Sequence, residues 1–268
     1  MGPPQRGIVH SAFDAAANIL FPDDFVLSLN AAPSSSQPTP CMPNGLELTA
    51  QPGTFPFNAL RAGMHVLFGA QRLHIEAIGC SLDISLCSQW NPQIQHPPLI
   101  DRGIIRKNRE RLRQYLKKNE QNEGNLLLEI TPPLTTLMHA EKYFFTFPHI
   151  QSIARFLCGR GIGLTPAGDD MLAGWMATGW LLYGPEPGFL AACQQIIEVA
   201  KQQTHLLSQC WLRYAAQGYV ALPIRTLLDA LTCDDESQLL STTEAVLALG
   251  GTSGYDVIQG MLLLLAEI

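Results

Sequence analysis

The spacing of apolar positions divides the chain into two parts. Over residues 1–98, short apolar runs are separated by Pro, Gly, Asn and Ser clusters. "DFVLSLN", "GLELTA", "MHVLFGA", "RLHIEA" and "DISLCS" read as strands on this basis. "SAFDAAANIL" reads as a short helix, because Ser11 and Asp14 have the spacing of a capping box. "AAPSSSQPTPCMPNG" reads as a mobile Pro/Ser loop, and "NPQIQHPP" as a domain boundary. Short strands at close spacing predict a small barrel or a curved antiparallel sheet.

Beyond that boundary the period becomes helical. In "RGIIRKNRERLRQYLKK", Ile104, Ile105, Leu112, Tyr115 and Leu116 form an apolar stripe. Further helices are predicted at about 148–158, 169–183, 188–202, 204–217, 222–232, 236–248 and 255–267, with Gly184-Pro185, Gly218 and "TCDDES" as stops and starts. The predicted fold is α+β. A β-rich domain (1–98) leads through a basic helix and connecting segment (99–147) to an all-α domain (148–268).

Composition narrows the function classes. Of 268 residues, 47% are hydrophobic and 15% charged, as in a well-buried globular protein. A net charge of -6 gives no electrostatic reason to bind nucleic acid. The longest apolar stretch, Met171–Tyr183, falls short of the roughly 20 residues of a membrane span and reads as a core helix. No secretory signal is evident, and the expected compartment is the cytoplasm. The seven cysteines are scattered, without a C-x-x-C pair, and read mainly as small core residues rather than disulfide or zinc positions. Eight of the 17 basic residues lie in 102–118. That helix is either a solvated face or a basic face for a phosphate ligand or an acidic partner.

Candidate chemistry concentrates in "GRGIGLTPAGDDMLAGW", whose glycines run into an apolar helix. Near the C-terminus "LGGTSGYDVIQGMLLLL" repeats the pattern: Gly-x-Asp, two apolar residues, one further residue, then Gly. Gly168, Asp170 and Gly174 correspond to Gly254, Asp256 and Gly260. Thr165 and Thr252 lie upstream, with Gly163 and Gly251 before them. Each unit is a glycine-rich turn opening a helix, whose N-terminal N–H groups and dipole favour an anion. The expected anion-binding residues are Gly161, Gly163, Thr165, Gly168, Thr252, Ser253, Gly254 and Asp256. Asp169 and Asp170 either cap the helix or hold Mg²⁺. The helix glycines suggest close approach by a second helix or a ligand, since Gly inside a helix costs about 1 kcal/mol against Ala.

In "THLLSQCWLRYAAQGY", His205, Gln209 and Arg213 share a helix face, with Thr204 and Ser208 on a neighbouring stripe and Trp211 and Tyr214 expected in the core. Arg213 either grips a carboxylate or phosphate or makes an ion pair. No P-loop, H-E-x-x-H or G-x-S-x-G motif is present, and "GRGIGLTPAG" lacks the strand–turn–helix setting of a dinucleotide fingerprint.

Together, "GRGIGLTPAGDDMLAG", "WLRYAAQGY" and "LGGTSGYDVIQG" resemble the AllH-type family, the small subunit of bacterial oxamate carbamoyltransferase. The likeness is strongest from about residue 150 onward and weaker at "GIVHSAFDAAANIL" and "PNGLEL". Ala167 stands where Ser is expected in many relatives. The resemblance implies a place in a multi-subunit enzyme of anaerobic allantoin use, beside two larger partner subunits. That enzyme interconverts oxalurate plus phosphate with oxamate plus carbamoyl phosphate. On this reading Asp169, Asp170 and Arg213 take catalytic roles, with Mg²⁺ as a possible cofactor. A Mg²⁺-dependent hydrolase acting alone and a non-catalytic structural or regulatory subunit are the alternatives.

Overall fold

The computed structural model describes residues 4–31, 42–48, 55–85, 87–119, 149–266 and 268. Most of the Pro/Ser loop therefore lies outside the described residues. The chain forms two compact units, Met1–Pro92 and Gln93–Ile268.

The first unit is a curved, half-barrel sheet of seven strands in the order β4-β3-β2-β1-β5-β6-β7. The strands are β1 (Gln5–Ala12), β2 (Ala16–Phe21), β3 (Phe25–Ala31), β4 (Gly45–Leu48), β5 (His65–Gly69), β6 (Arg72–Ile75) and β7 (Cys80–Asp83). All neighbours pair antiparallel except β3 and β4. Alternating residues Ala17, Ile19 and Phe21 of β2 face a core with Val9, Leu29, Phe57, Leu60, Val66, Leu73 and Ile75.

Two expectations are corrected here. "SAFDAAANIL" is a hairpin rather than a helix, turning through a Phe13 N–H to Ala16 carbonyl bond of 2.8 Å. Ser11, which resembles an N-cap, instead sits opposite Asn18 and accepts from its side-chain amide at 3.0 Å. The Ser28 hydroxyl extends this link by donating to Asn18 Oδ1 at 2.6 Å. Inward alternation outweighs the helical preference of the alanines, because burial on a sheet face yields more than propensity alone. The strand expected at "DISLCS" lies earlier: β7 runs from Cys80 and ends at Asp83, the first residue of that run, whose carboxylate accepts from the Ser85 N–H in a turn.

The second unit is helical: α1 (Arg102–Lys118), α2 (His149–Leu157), α3 (Ala167–Tyr183), α4 (Pro187–Gln203), α5 (Leu206–Ala216), α6 (Leu222–Leu231), α7 (Glu236–Leu247) and α8 (Ser253–Leu265). These match the predicted helices to within a few residues. Helix α3 lies at the centre, with both Met171 and Met176 buried. Its Trp175, Trp180 and Tyr183 surround Phe189 of α4 at centroid distances of 5.9, 6.0 and 6.2 Å. Among the described residues no helix is long and apolar enough to cross a membrane.

Helix α1 buries Ile105, Leu112 and Leu116 as the apolar stripe predicts, but also Asn108. Asn108 donates to the Leu231 and Cys233 carbonyls at 3.1 and 2.7 Å, capping the end of α6. Much of the basic face is engaged inside the unit. Lys107 and Arg111 meet Asp234 at 2.8 and 3.1 Å, Arg111 also meets Glu236 at 2.9 Å, and Arg106 and Arg109 bond the carbonyls of Ile268 and Leu265. Exposed ion pairs contribute at most about 1 kcal/mol each, so they orient α1 more than they stabilise it.

Candidate functional site

The sequence repeat is a structural repeat. Helix α2, a loop and α3 form one unit; α7, a loop and α8 form the other. In each, the glycine of Gly-x-Asp packs on the helix before it. A Cβ on Gly168 would overlap the Leu157 carbonyl at the end of α2, and one on Gly254 would overlap the Val246 carbonyl near the end of α7. The second glycines make the two units meet. A Cβ on Gly174 would strike the Val257 carbonyl, and one on Gly260 would strike that of Met171. Those contacts are reciprocal, because Met171 and Val257 occupy the same place in the two motifs. Helices α3 and α8 thus cross backbone to backbone in the second turn of each.

That crossing brings the two loops together. Thr165 Oγ1, just before α3, lies 3.2 Å from Ser253 Oγ, the first residue of α8. Asp170 and Asp256 both stand in first helical turns and interact electrostatically across the junction. In the first loop Gly159, Gly161 and Gly163 have φ of 71°, 120° and 92°, values an L side chain rarely adopts. Ile162 projects from this loop, 93% exposed.

The two adjacent aspartates have separate surroundings. Asp169 is buried, and its Oδ1 accepts from the Gly159 N–H at 3.0 Å. Its Oδ2 accepts from the Ser208 hydroxyl at 2.7 Å and from Thr204. It therefore ties the loop to the α4–α5 corner. Asp170 faces Thr165, Ser253 and Asp256 instead. Oδ2 of Asp170 and Oδ2 of Asp256 are buried with no hydrogen-bond partner among the described residues. Burial pushes the Asp170 carboxyl well above the usual carboxylate range, aided by the Asp256 and Asp169 charges and opposed by the Ser253 and Thr165 hydroxyls. Burial likewise raises Asp256 to about 6, against a hydrogen bond from Thr252.

Backbone donors are partly used up. The Gly168 N–H donates to the Arg160 carbonyl at 2.9 Å and the Gly254 N–H to that of Leu249 at 3.2 Å. Both are expected anion donors, and both are turned toward their own chain. Thr252 is the N-cap of α8 but makes no side-chain cap bond. Arg213, on α5, donates to Cys210 Sγ at 3.0 Å, and Gln209 donates to the Thr204 carbonyl. Trp211 and Tyr214 are half-buried rather than core, with ring centroids 5.7 Å apart. Among the described residues no three His, Cys, Asp or Glu side chains converge as a metal site. Six described cysteines are free, of which Cys158, Cys193 and Cys210 are buried. A cavity of ≈240 Å³ lies elsewhere in the helical unit, lined by His96, Ile100, Arg102 and Tyr183 among others.

The sequence does not reveal that Asp169 and Asp170 diverge, or that Asp256 is the counterpart that Asp170 faces. The repeat register was the available signal, since it aligns Asp170, not Asp169, with Asp256.

This geometry defines a helical unit in which two equivalent helix–loop–helix repeats join at a pair of carboxylates. Residues 157–265, which begin with the last residue of α2 and end with α8, match the family model described as oxamate carbamoyltransferase subunit AllH. The resemblance drawn from the sequence motifs holds over this part of the chain. No solved structure matches the chain.

Proposed function

We propose that the chain is a subunit of a carbamoyltransferase complex of the oxamate carbamoyltransferase kind, and that the junction of α3 and α8 is its site. The observation that carries this is the overlap between the matched residues and the site. The family match over 157–265 spans Thr165, Asp170, Ser253 and Asp256, the residues that the helix crossing brings together.

The reaction is phosphorolysis of oxalurate. The bond between the carbamoyl carbon and the oxamate nitrogen breaks, a bond from that carbon to a phosphate oxygen forms, and the leaving nitrogen takes a proton. Such a transfer needs positioned groups at the developing charges and a substrate held in line for attack. Thr165, Thr252 and Ser253 offer hydroxyls, and Gly161 and Gly163 let the first loop close on a ligand. Asp170 and Asp256 offer acceptors or, once protonated, donors. Phosphate meets two carboxylates here, so its charge is to be met elsewhere: by Arg213, by Mg²⁺ carried in with it, or by groups of the partner subunits. Asp169 serves by holding the first loop in place.

The test is turnover by the complex purified around the tagged full chain. With oxalurate and phosphate supplied, carbamoyl phosphate and oxamate should form in equal amounts, and a complex assembled without the chain should lose that activity. Full turnover without the chain would refute the reading.

A further inference from the structure

We infer that Asp170 and Asp256 together seat the –NH₂ end of the substrate, each Oδ2 accepting an N–H from the carbamoyl or oxamate amide group. The inference rests on the carbamoyltransferase reading and assigns the substrate end that this site takes.

Three observations converge. First, Asp256 is only 6% exposed, yet its Oδ2 has no hydrogen-bond partner among the described residues, and the same holds for Oδ2 of Asp170 across the junction. A buried acceptor left unmade is costly by about 1–3 kcal/mol, so two at equivalent places of a repeat point to a donor from outside the fold. Second, the donors that a helix N-terminus offers an anion are partly consumed, at Gly168 by Arg160 and at Gly254 by Leu249. The buried atoms of the junction left without a partner among the described residues are therefore acceptors, which suits N–H groups. Third, Gly161, Gly163, Gly251 and Thr252 are exposed, so both loops that flank the pair border solvent.

A carboxamide fits this inventory. Its –NH₂ carries two donors, one for each carboxylate. With no third carboxylate, histidine or cysteine converging among the described residues, the pair is a sparse ligand set for a resident metal ion.

The test uses the full-length chain and two small acids of the same charge. Oxamate carries –NH₂ where pyruvate carries –CH₃. Calorimetric titration should show oxamate binding at least about tenfold tighter than pyruvate, since a site built around a hydrogen-bonding group rejects the analogue lacking it. Asp256→Leu should reduce that preference to within about twofold. Asp170→Asn and Asp256→Asn, which keep side-chain volume, should each narrow it and so provide the readout if the leucine variant fails to fold. Equal binding of the two acids to wild type would overturn the inference, as would a preference unchanged in folded variants, or binding of neither acid. The subunit reading is judged separately, by turnover of the assembled complex, and survives any of these results if that turnover stands.

Discussion

Asp169 and Asp170 are neighbours in sequence with opposite circumstances. Asp169 has its acceptors filled by Gly159, Thr204 and Ser208, whereas Asp170 and its counterpart Asp256 each keep a buried oxygen without a partner among the described residues. Removing the first breaks several bonds to a charged group, each worth about 1.5–3 kcal/mol. Asp169→Ala should therefore lower unfolding free energy by about 2–4 kcal/mol in urea titrations, while Asp170→Asn should leave it unchanged or raise it. A result in the reverse order would contradict these assignments. Asp256 gives a pH signature. Burial raises its carboxyl from 3.8 to about 6, so the folded chain binds a proton that the unfolded chain has released. The stability this proton contributes is full below the lower value and is lost as pH rises through the upper one. The stability of Asp256→Asn relative to wild type should thus grow from about pH 4 and level off above about pH 7. A difference independent of pH would show that Asp256 titrates normally. The sequence made an acidic pair legible but not its direction. On one helix turn, consecutive residues point about 100° apart, and only the fold decides which of them meets the second repeat.

At the scale of elements, the repeat is built on backbone contact. Gly174 and Gly260 let α3 and α8 touch where any side chain would strike a carbonyl. Gly260→Ala should destabilise the protein by about 3 kcal/mol, the upper end of overpacking costs, even though Ala favours an isolated helix by about 1 kcal/mol. A thermal melt unchanged or raised by that substitution would contradict the crossing. Helices were legible because their caps and glycine stops are local: Glu186, for example, accepts from the Phe189 N–H at 2.8 Å just where the sequence shows Gly184-Pro185. The β1–β2 hairpin was not, because an alanine-rich run with a cap-like Ser11 carries a helical local signal. Ala17, opposite Ala12 and Leu29, and Ile19, opposite Val9 and Leu27, are placed by neighbouring strands rather than by their own local preference. The direction of α1 was equally hidden. Its positive charges look like an external binding face, but several answer Asp234, Glu236 and carbonyls at and beyond the end of α8.

At the scale of the whole molecule, residues 93–268 have their own core and contain both loops. Expressed alone, this segment should unfold cooperatively, with coincident transitions by far-UV circular dichroism and tryptophan fluorescence. Non-coincident or featureless melting would show that it depends on the first unit. The central claim is that two repeats make one site. Its most direct test is the kcat/KM of the assembled complex for oxalurate phosphorolysis with Asp170→Asn, Asp256→Asn and both together. Acting as a unit, the carboxylates should give single variants slowed by about 100-fold or more and a double variant scarcely slower than either, since groups that serve one step are not additive. Losses that multiply, or variants that keep the wild-type rate, would contradict a shared site.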